Sequence, residues 1–108
     1  MKLIVATIQD QDADRVIGSL TEQGYRVTRI GTTGGFLQQG NTTLLVGVDD
    51  NQVSPVINIL KVHSQRRTQY MPMATGATPN GVALYNYVEV EVGGATVFIL
   101  DVDHFEQV

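Results

Sequence analysis

Hydrophobic positions along the chain switch between two periods, and each switch marks an element. Leu3 to Ile8 is an apolar run of strand length. After Asp10-Gln11-Asp12, the residues Ala13, Val16, Ile17 and Leu20 follow at spacing i, i+3, i+4, i+7, which is one stripe of a helix. Asp10 or Asp12 is placed to cap its amino end, and Gly24 stands where a left-handed residue would stop it. Tyr25 to Ile30, aromatic and β-branched, predicts a second strand.

The same pattern recurs with an offset of 40 residues. Leu44, Leu45, Val46 and Val48 repeat Ile4, Val5, Ala6 and Ile8, and Asp50 repeats Asp10. Val53, Val56, Ile57 and Leu60 repeat the first helical stripe. Pro55 falls near the first turn of this second helix, where a missing N–H does least harm, and the adjacent acids Asp49-Asp50 are placed to cap it. Val88, Val90 and Val92 alternate with Glu89 and Glu91, a half-buried strand. Gly93-Gly94 marks a turn or bulge, and Ala95 to Leu100 a further strand. Two strand–helix–strand halves in tandem predict an α+β fold of the ferredoxin-like, split βαβ plan: an antiparallel sheet with two helices on one face. The other face of such a sheet is uncovered, so self-association is expected.

Two connections stand apart from this periodicity. Gly31–Gly40 holds four of the chain's 11 glycines. From Ser64 to about Tyr87 runs a polar stretch with Arg66-Arg67, Tyr70, Pro72, Pro79 and Gly81, read as a long loop. Loops longer than about 12–15 residues in a compact domain usually carry function.

The 108 residues suit one domain, 1–108, large enough to bury a core without a disulfide or structural metal. The lack of cysteine excludes disulfide scaffolds, thiolate metal sites and thiol nucleophiles. Apolar runs stay far below the roughly 20 residues of a membrane span, and Met1–Ala6 is too brief for a signal peptide. A cytoplasmic protein without membrane contact is therefore expected. A net charge of -4 argues against nucleic-acid binding, which draws its affinity from Lys and Arg. The acids, however, lie at 10–22, 49–50 and 89–106. Gln23–Val48 and Asn51–Val88 contain none, yet hold Arg26, Arg29, Lys61, Arg66 and Arg67. The average excludes polyanions; the distribution leaves room for a small anion.

No arrangement prepares for catalysis, and the chain is expected not to be an enzyme. Nothing places an activated serine beside His63 or His104, and His63 suits the carboxyl end of the second helix. Asp101, Asp103, His104 and Glu106 read as a solvated tail rather than a metal site, so no metal or cofactor is expected. The glycine loop is neither GxGxxG nor GxxxxGK[ST] and leads into a strand, which disfavours the familiar phosphate cradles. Glycine still allows backbone N–H groups to approach an anion.

Arg26 and Thr28 point to the same side of their strand, where a guanidinium can hold a phosphate through two N–H groups. Phe36 offers a face for a base, and Asn41 has both donors and an acceptor for a base edge. These residues fit a nucleotide site; an ordinary surface strand and hairpin fits them too, apart from the apolar pair Phe36-Leu37. An RNA-recognition sheet needs aromatics on its central strands, and Leu3–Ile8 and Thr42–Val48 have none.

Arg26-Val-Thr-Arg-Ile-Gly-Thr-Thr-Gly-Gly-Phe-Leu-Gln-Gln-Gly-Asn-Thr-Thr-Leu-Leu-Val-Gly-Val48 resembles the signature of the PII-like cyclic di-AMP receptors (PstA or DarA). Val92-Gly-Gly-Ala-Thr-Val-Phe-Ile-Leu-Asp-Val-Asp-His-Phe-Glu-Gln107 is similar to the same family, and the likeness spans essentially the whole chain. It implies a homotrimer of PII-like, ferredoxin-like subunits with three cyclic di-AMP sites in the clefts between neighbours. It implies that the short glycine loop corresponds to the T-loop and the 64–87 stretch to an enlarged B-loop.

By this resemblance Arg26 and Thr28 hold the phosphate–ribose ring. Phe36 and Leu37 pack on adenine, Gly35 allows close approach, and Asn41 and the Gly47 backbone read the adenine edge. Gly93, Gly94 and Gln107 come from the carboxyl-terminal region, supplied by the same or a neighbouring subunit. Gly47 also interrupts a β-branched strand, as glycine does where a ligand or backbone comes close. The implied function is that of a signal-transduction receptor that binds cyclic di-AMP and reorders its loops to regulate an unidentified protein partner. The alternative is a PII-like regulator of ATP or another adenine nucleotide; a small enzyme using the trimer cleft is a third class.

Overall fold

The computed structural model describes residues 1–31, 40–77 and 83–108, with side chains described outside 71–88. Strand β1 (Lys2–Gln9) leads into helix α1 (Asp10–Glu22) and strand β2 (Val27–Gly31). Strand β3 (Asn41–Val48), a 3₁₀ turn (Asp50–Gln52) and helix α2 (Val53–His63) follow. The chain then runs through β4 (Arg67–Ala77), β5 (Ala83–Val92) and β6 (Ala95–Asp101). One antiparallel sheet has the order β2-β3-β1-β6; β4 and β5 form a separate two-stranded ribbon. The sheet order and both helices are consistent with the ferredoxin-like plan, with β6 as its fourth strand.

The alternation predicted for β1 and β3 sets the two faces. Ile4, Ala6 and Ile8, with Leu44, Val46 and Val48, are buried against Ala13, Val16 and Leu20 of α1 and Val56 and Leu60 of α2. Burying each of the larger side chains contributes about 1.5–3 kcal/mol. Both predicted helical stripes face this core, with Ile17, Val53 and Ile57 packed at its margin.

Helix α1 ends as its sequence predicts. Gly24 has φ +88, its N–H bonds the Thr21 carbonyl at 3.0 Å, and the Tyr25 N–H bonds that of Leu20 at 3.0 Å. This is the paired closure that glycine favours. Its start differs from the expectation. Gln9, not Asp10 or Asp12, occupies the capping position, without a side-chain cap bond. Asp10 accepts a hydrogen bond from the Thr42 hydroxyl instead, and Asp12 turns inward to two arginines. Asp49 behaves as expected: it forms a reciprocal capping box with Gln52 ahead of α2.

The stretch read as a long loop is mostly strand. Arg67 pairs with Val92, Gln69 with Val90 and Ala77 with Ala83, with an irregularity between Ala74 and Ala77. The Val88–Val92 strand is therefore real but belongs to the ribbon. The ribbon packs chiefly on itself. It accounts for extents of 67 × 28 × 20 Å and a radius of gyration of 18.5 Å, against about 13 Å for a compact chain of this length.

Candidate functional site

Successive strand residues point to opposite sides, so the face away from the helices is fixed by the core. It carries Leu3, Val5 and Thr7, their register partners Gly47, Leu45 and Thr43 on β3, and Leu100, Phe98 and Thr96 on β6. Thr28 and Ile30 of β2 continue it through Leu45 and Thr43. No element of the protomer covers this face among the described residues. Phe98 is 59% exposed, Leu100 49% and Ile30 39%.

Seven predicted site residues are described, and they gather at two ends of this face. At one end a cavity of about 450 Å³ is lined by Arg26, Thr28, Gly47 and Gln107. The register that pairs Val27 with Val46 sets Arg26 opposite Gly47. The carboxyl-terminal tail reaches this end because its root is tied to the amino terminus. The Val102 N–H donates to the Met1 carbonyl at 3.2 Å, the Lys2 ammonium pairs with Asp101, and the Met1 amine lies 3.2 Å from Asp50. The hydrogen bond from Lys2 holds the Asp101 carboxyl below its usual range.

At the other end a polar cavity of about 170 Å³ is lined by Asn41, Gly93 and Gly94, together with Thr7, Thr96 and Arg66. Asn41 and Gly47 stand at opposite ends of β3, about 20 Å apart at the rise of an extended strand. On one protomer they cannot contact the same base. Gly35, Phe36 and Leu37 lie outside the described residues.

The glycines separate by what surrounds them. A Cβ at Gly47 would meet nothing within 4 Å on this protomer, so the fold of the protomer does not require its small size. Gly93 is different. It has φ +86, and a Cβ there would collide with the Gln65 carbonyl and the Arg67 guanidinium. Its N–H donates to Gln9 Oε1 at 2.7 Å. The protomer's own packing accounts for that glycine.

The charges also sort. Arg29 lies 3.1 Å from Asp14 on the helix side of the sheet, and Arg15 and Arg67 share Asp12. Among the described residues Arg26 and Arg66 form no ion pair. Arg26 lines the cavity at one end of the open face, and Arg66, at the ribbon root, lines the cavity at the other.

A model of the cyclic-di-AMP receptor family matches residues 1–108. The chain belongs to the cyclic-di-AMP receptor family. This receptor-family chain is also similar to a solved structure, a functionally unknown protein from Pediococcus pentosaceus ATCC 25745. The two share 40% identity over 99% of this chain and 96% of that one, with a TM-score of 0.77.

The structure adds residues to the candidate site that the sequence pattern did not single out. Phe105, 61% exposed, lines the cavity of Arg26 and Thr28; the signal was an aromatic two residues before Gln107 in an otherwise polar tail. Glu106 lines the same cavity, so its surroundings are not free of carboxylate as the acid-free windows implied. A larger cavity of about 560 Å³ opens on the helix side between α2 and β6. It holds Gly94 of the predicted residues and owes its apolar walls to the uncovered edge of β6. No group of three His, Asp or Glu converges as a metal site among the described residues, and no helix there is long and apolar enough to cross a membrane.

The corner beneath the ribbon is held by Asp12, which has no exposed side-chain surface. Burial pushes its carboxyl up, but the hydrogen bonds and charges of Arg67 and Arg15 outweigh that and hold it below the usual carboxylate range. Arg67 Nη2 lies 2.7 Å from Asp12 Oδ1, and Arg15 Nη2 lies 2.5 Å from the same oxygen. Asp10, two residues earlier, donates its N–H to the Gly40 carbonyl at 2.8 Å. The first turn of α1 thus ties together the exit of the glycine loop and the root of the ribbon.

Proposed function

We propose that this protein is a non-enzymatic cytoplasmic receptor that binds cyclic di-AMP in clefts between the subunits of a homotrimer. Binding then reorders the glycine loop and the ribbon to present a surface to a protein partner. The observation that carries the reading is the grouping of unpaired Arg26 with Thr28, Gly47 and Gln107 on an uncovered sheet face, in a chain of this family. Membership of the cyclic-di-AMP receptor family supports the choice of ligand; the apolar open face supports assembly.

In this reading the Arg26 guanidinium takes two oxygens of one phosphate and the Thr28 hydroxyl adds a third contact. Gly47, with open space where a side chain would stand, lets the base lie against the β3 backbone. Phe105 and Phe36 supply aromatic faces, and Gln107 an amide for the base edge. The distance between Asn41 and Gly47 favours a site composed from two subunits, each contributing a different end of its sheet.

Calorimetry on Arg26→Ala tests the assignment. Loss of a charged hydrogen bond weakens cyclic di-AMP binding by about 1.5–3 kcal/mol; an unchanged isotherm removes Arg26 from the site. Tight magnesium-dependent ATP binding alongside weak cyclic di-AMP binding would instead select a regulator of adenine nucleotides.

A further inference from the structure

We infer that Arg66 is a second phosphate ligand of the receptor site, supplied by the subunit next to the one that supplies Arg26. The inference rests on the cyclic di-AMP reading above and extends it to a residue which the family resemblance does not assign.

Arg66 is exposed at the root of the ribbon and forms no ion pair among the described residues, whereas its neighbour Arg67 is locked to buried Asp12. Two adjacent arginines therefore have different work. Arg67 fixes the ribbon root; Arg66 stands at a corner between two cavities, the polar one of Asn41, Thr7 and Thr96 and the apolar one between α2 and β6. A Cβ on Gly94 would lie 3.8 Å from the Arg66 Nε, so the glycine corner runs directly beside the guanidinium. Its planar fork matches a phosphate through two N–H groups.

A cyclic dinucleotide carries two phosphates, and two unengaged arginines line the cavities at the ends of this face. On one protomer Arg26 lines the cavity of Gly47 and Arg66 that of Asn41, and these two β3 residues are about 20 Å apart by strand rise, too far for one dinucleotide ring to span. A closed ring repeats one heterologous contact by rotation, an arrangement that allows one end of each sheet to meet the other end of its neighbour's. Arg26 of one subunit and Arg66 of the next then flank a single ligand.

The test mixes two variants. Arg66→Ala alone lowers cyclic di-AMP affinity about 10- to 100-fold, the range of a charged hydrogen bond, and Arg66→Lys, a point charge without the fork, recovers part of it. Arg26→Ala and Arg66→Ala subunits, unfolded together and reassembled, regain wild-type affinity in a fraction of their sites, because some clefts combine Arg26 and Arg66 from different chains. Wild-type affinity in Arg66→Ala overturns the assignment. Loss in both variants without any recovery on mixing places both arginines on one subunit and overturns the shared cleft. Failure of the unmodified protein to bind cyclic di-AMP is a separate result, and strikes the ligand rather than Arg66.

Discussion

Asp12 keeps a full charge with no solvent contact because two guanidinium groups surround it. Its carboxyl has a lower pKa in the folded protein than in the unfolded chain. The stability it contributes is therefore complete above the usual carboxylate value and is lost as pH falls through the lower, folded value. Urea denaturation between pH 7 and pH 3 should show stability falling mainly below about pH 4, and less so in Asp12→Asn. That variant leaves Arg67 without its partner. Breaking a fully buried pair costs about 3–5 kcal/mol; with both arginines partly exposed, about 2 kcal/mol is expected from the same denaturation curve at pH 7. In sequence Asp12 looked like a helix cap, since its position at the start of α1 allowed that and its partner lies 55 residues away. Gly47 was legible, because an interrupted β-branched strand is a local signal. Gly47→Ala should leave protomer stability within about 1 kcal/mol, the scale of a glycine-to-alanine change in a strand, while lowering ligand affinity. Equal losses in both assays would make Gly47 a folding residue.

Among the elements, those that repeat were legible and the one that does not was misread. β1–α1 and β3–α2 each announce themselves by an apolar run followed by a stripe at helical spacing, because each packs on a shared core. The ribbon packs mainly on itself, so its sequence is under no pressure to alternate against a core. Pro72, Pro79 and Gly81 also pointed to a loop. In a two-stranded ribbon each strand has a free edge, which accommodates a proline that a central strand would not. Only the Val88–Val92 end, where Val92 is 8% exposed at the root, carried the alternation that identified it as strand. The site divides in the same way. Thr28, Asn41 and Gly47 sit on regular strands and Arg26 directly precedes one, so the alternation of a local run was enough to mark them. Phe105 and Arg66 reach their cavities through the tail and the ribbon root, whose courses depend on Asp101, Asp50 and Asp12 contacts far away in sequence.

At the scale of the whole molecule, the protomer is unfinished on one side. Phe98, Leu100 and Ile30 form an exposed apolar face of the kind that marks an interface when contiguous. Phe98→Asp should leave the helix-side core intact by circular dichroism and reduce the mass in light scattering to that of one chain. A trimer that survives this change would move the interface elsewhere. Net charge -4 and unpaired arginines at the ends of the open face are compatible because Asp12 and Asp14 neutralise the other arginines on the helix side. Titration of the unmodified protein with cyclic di-AMP, cyclic di-GMP and ATP in a calorimeter tests whether this chain recognises cyclic di-AMP. Strong preference for cyclic di-AMP, at one ligand per subunit, is expected. Equal binding of all three, or binding of none, would contradict it.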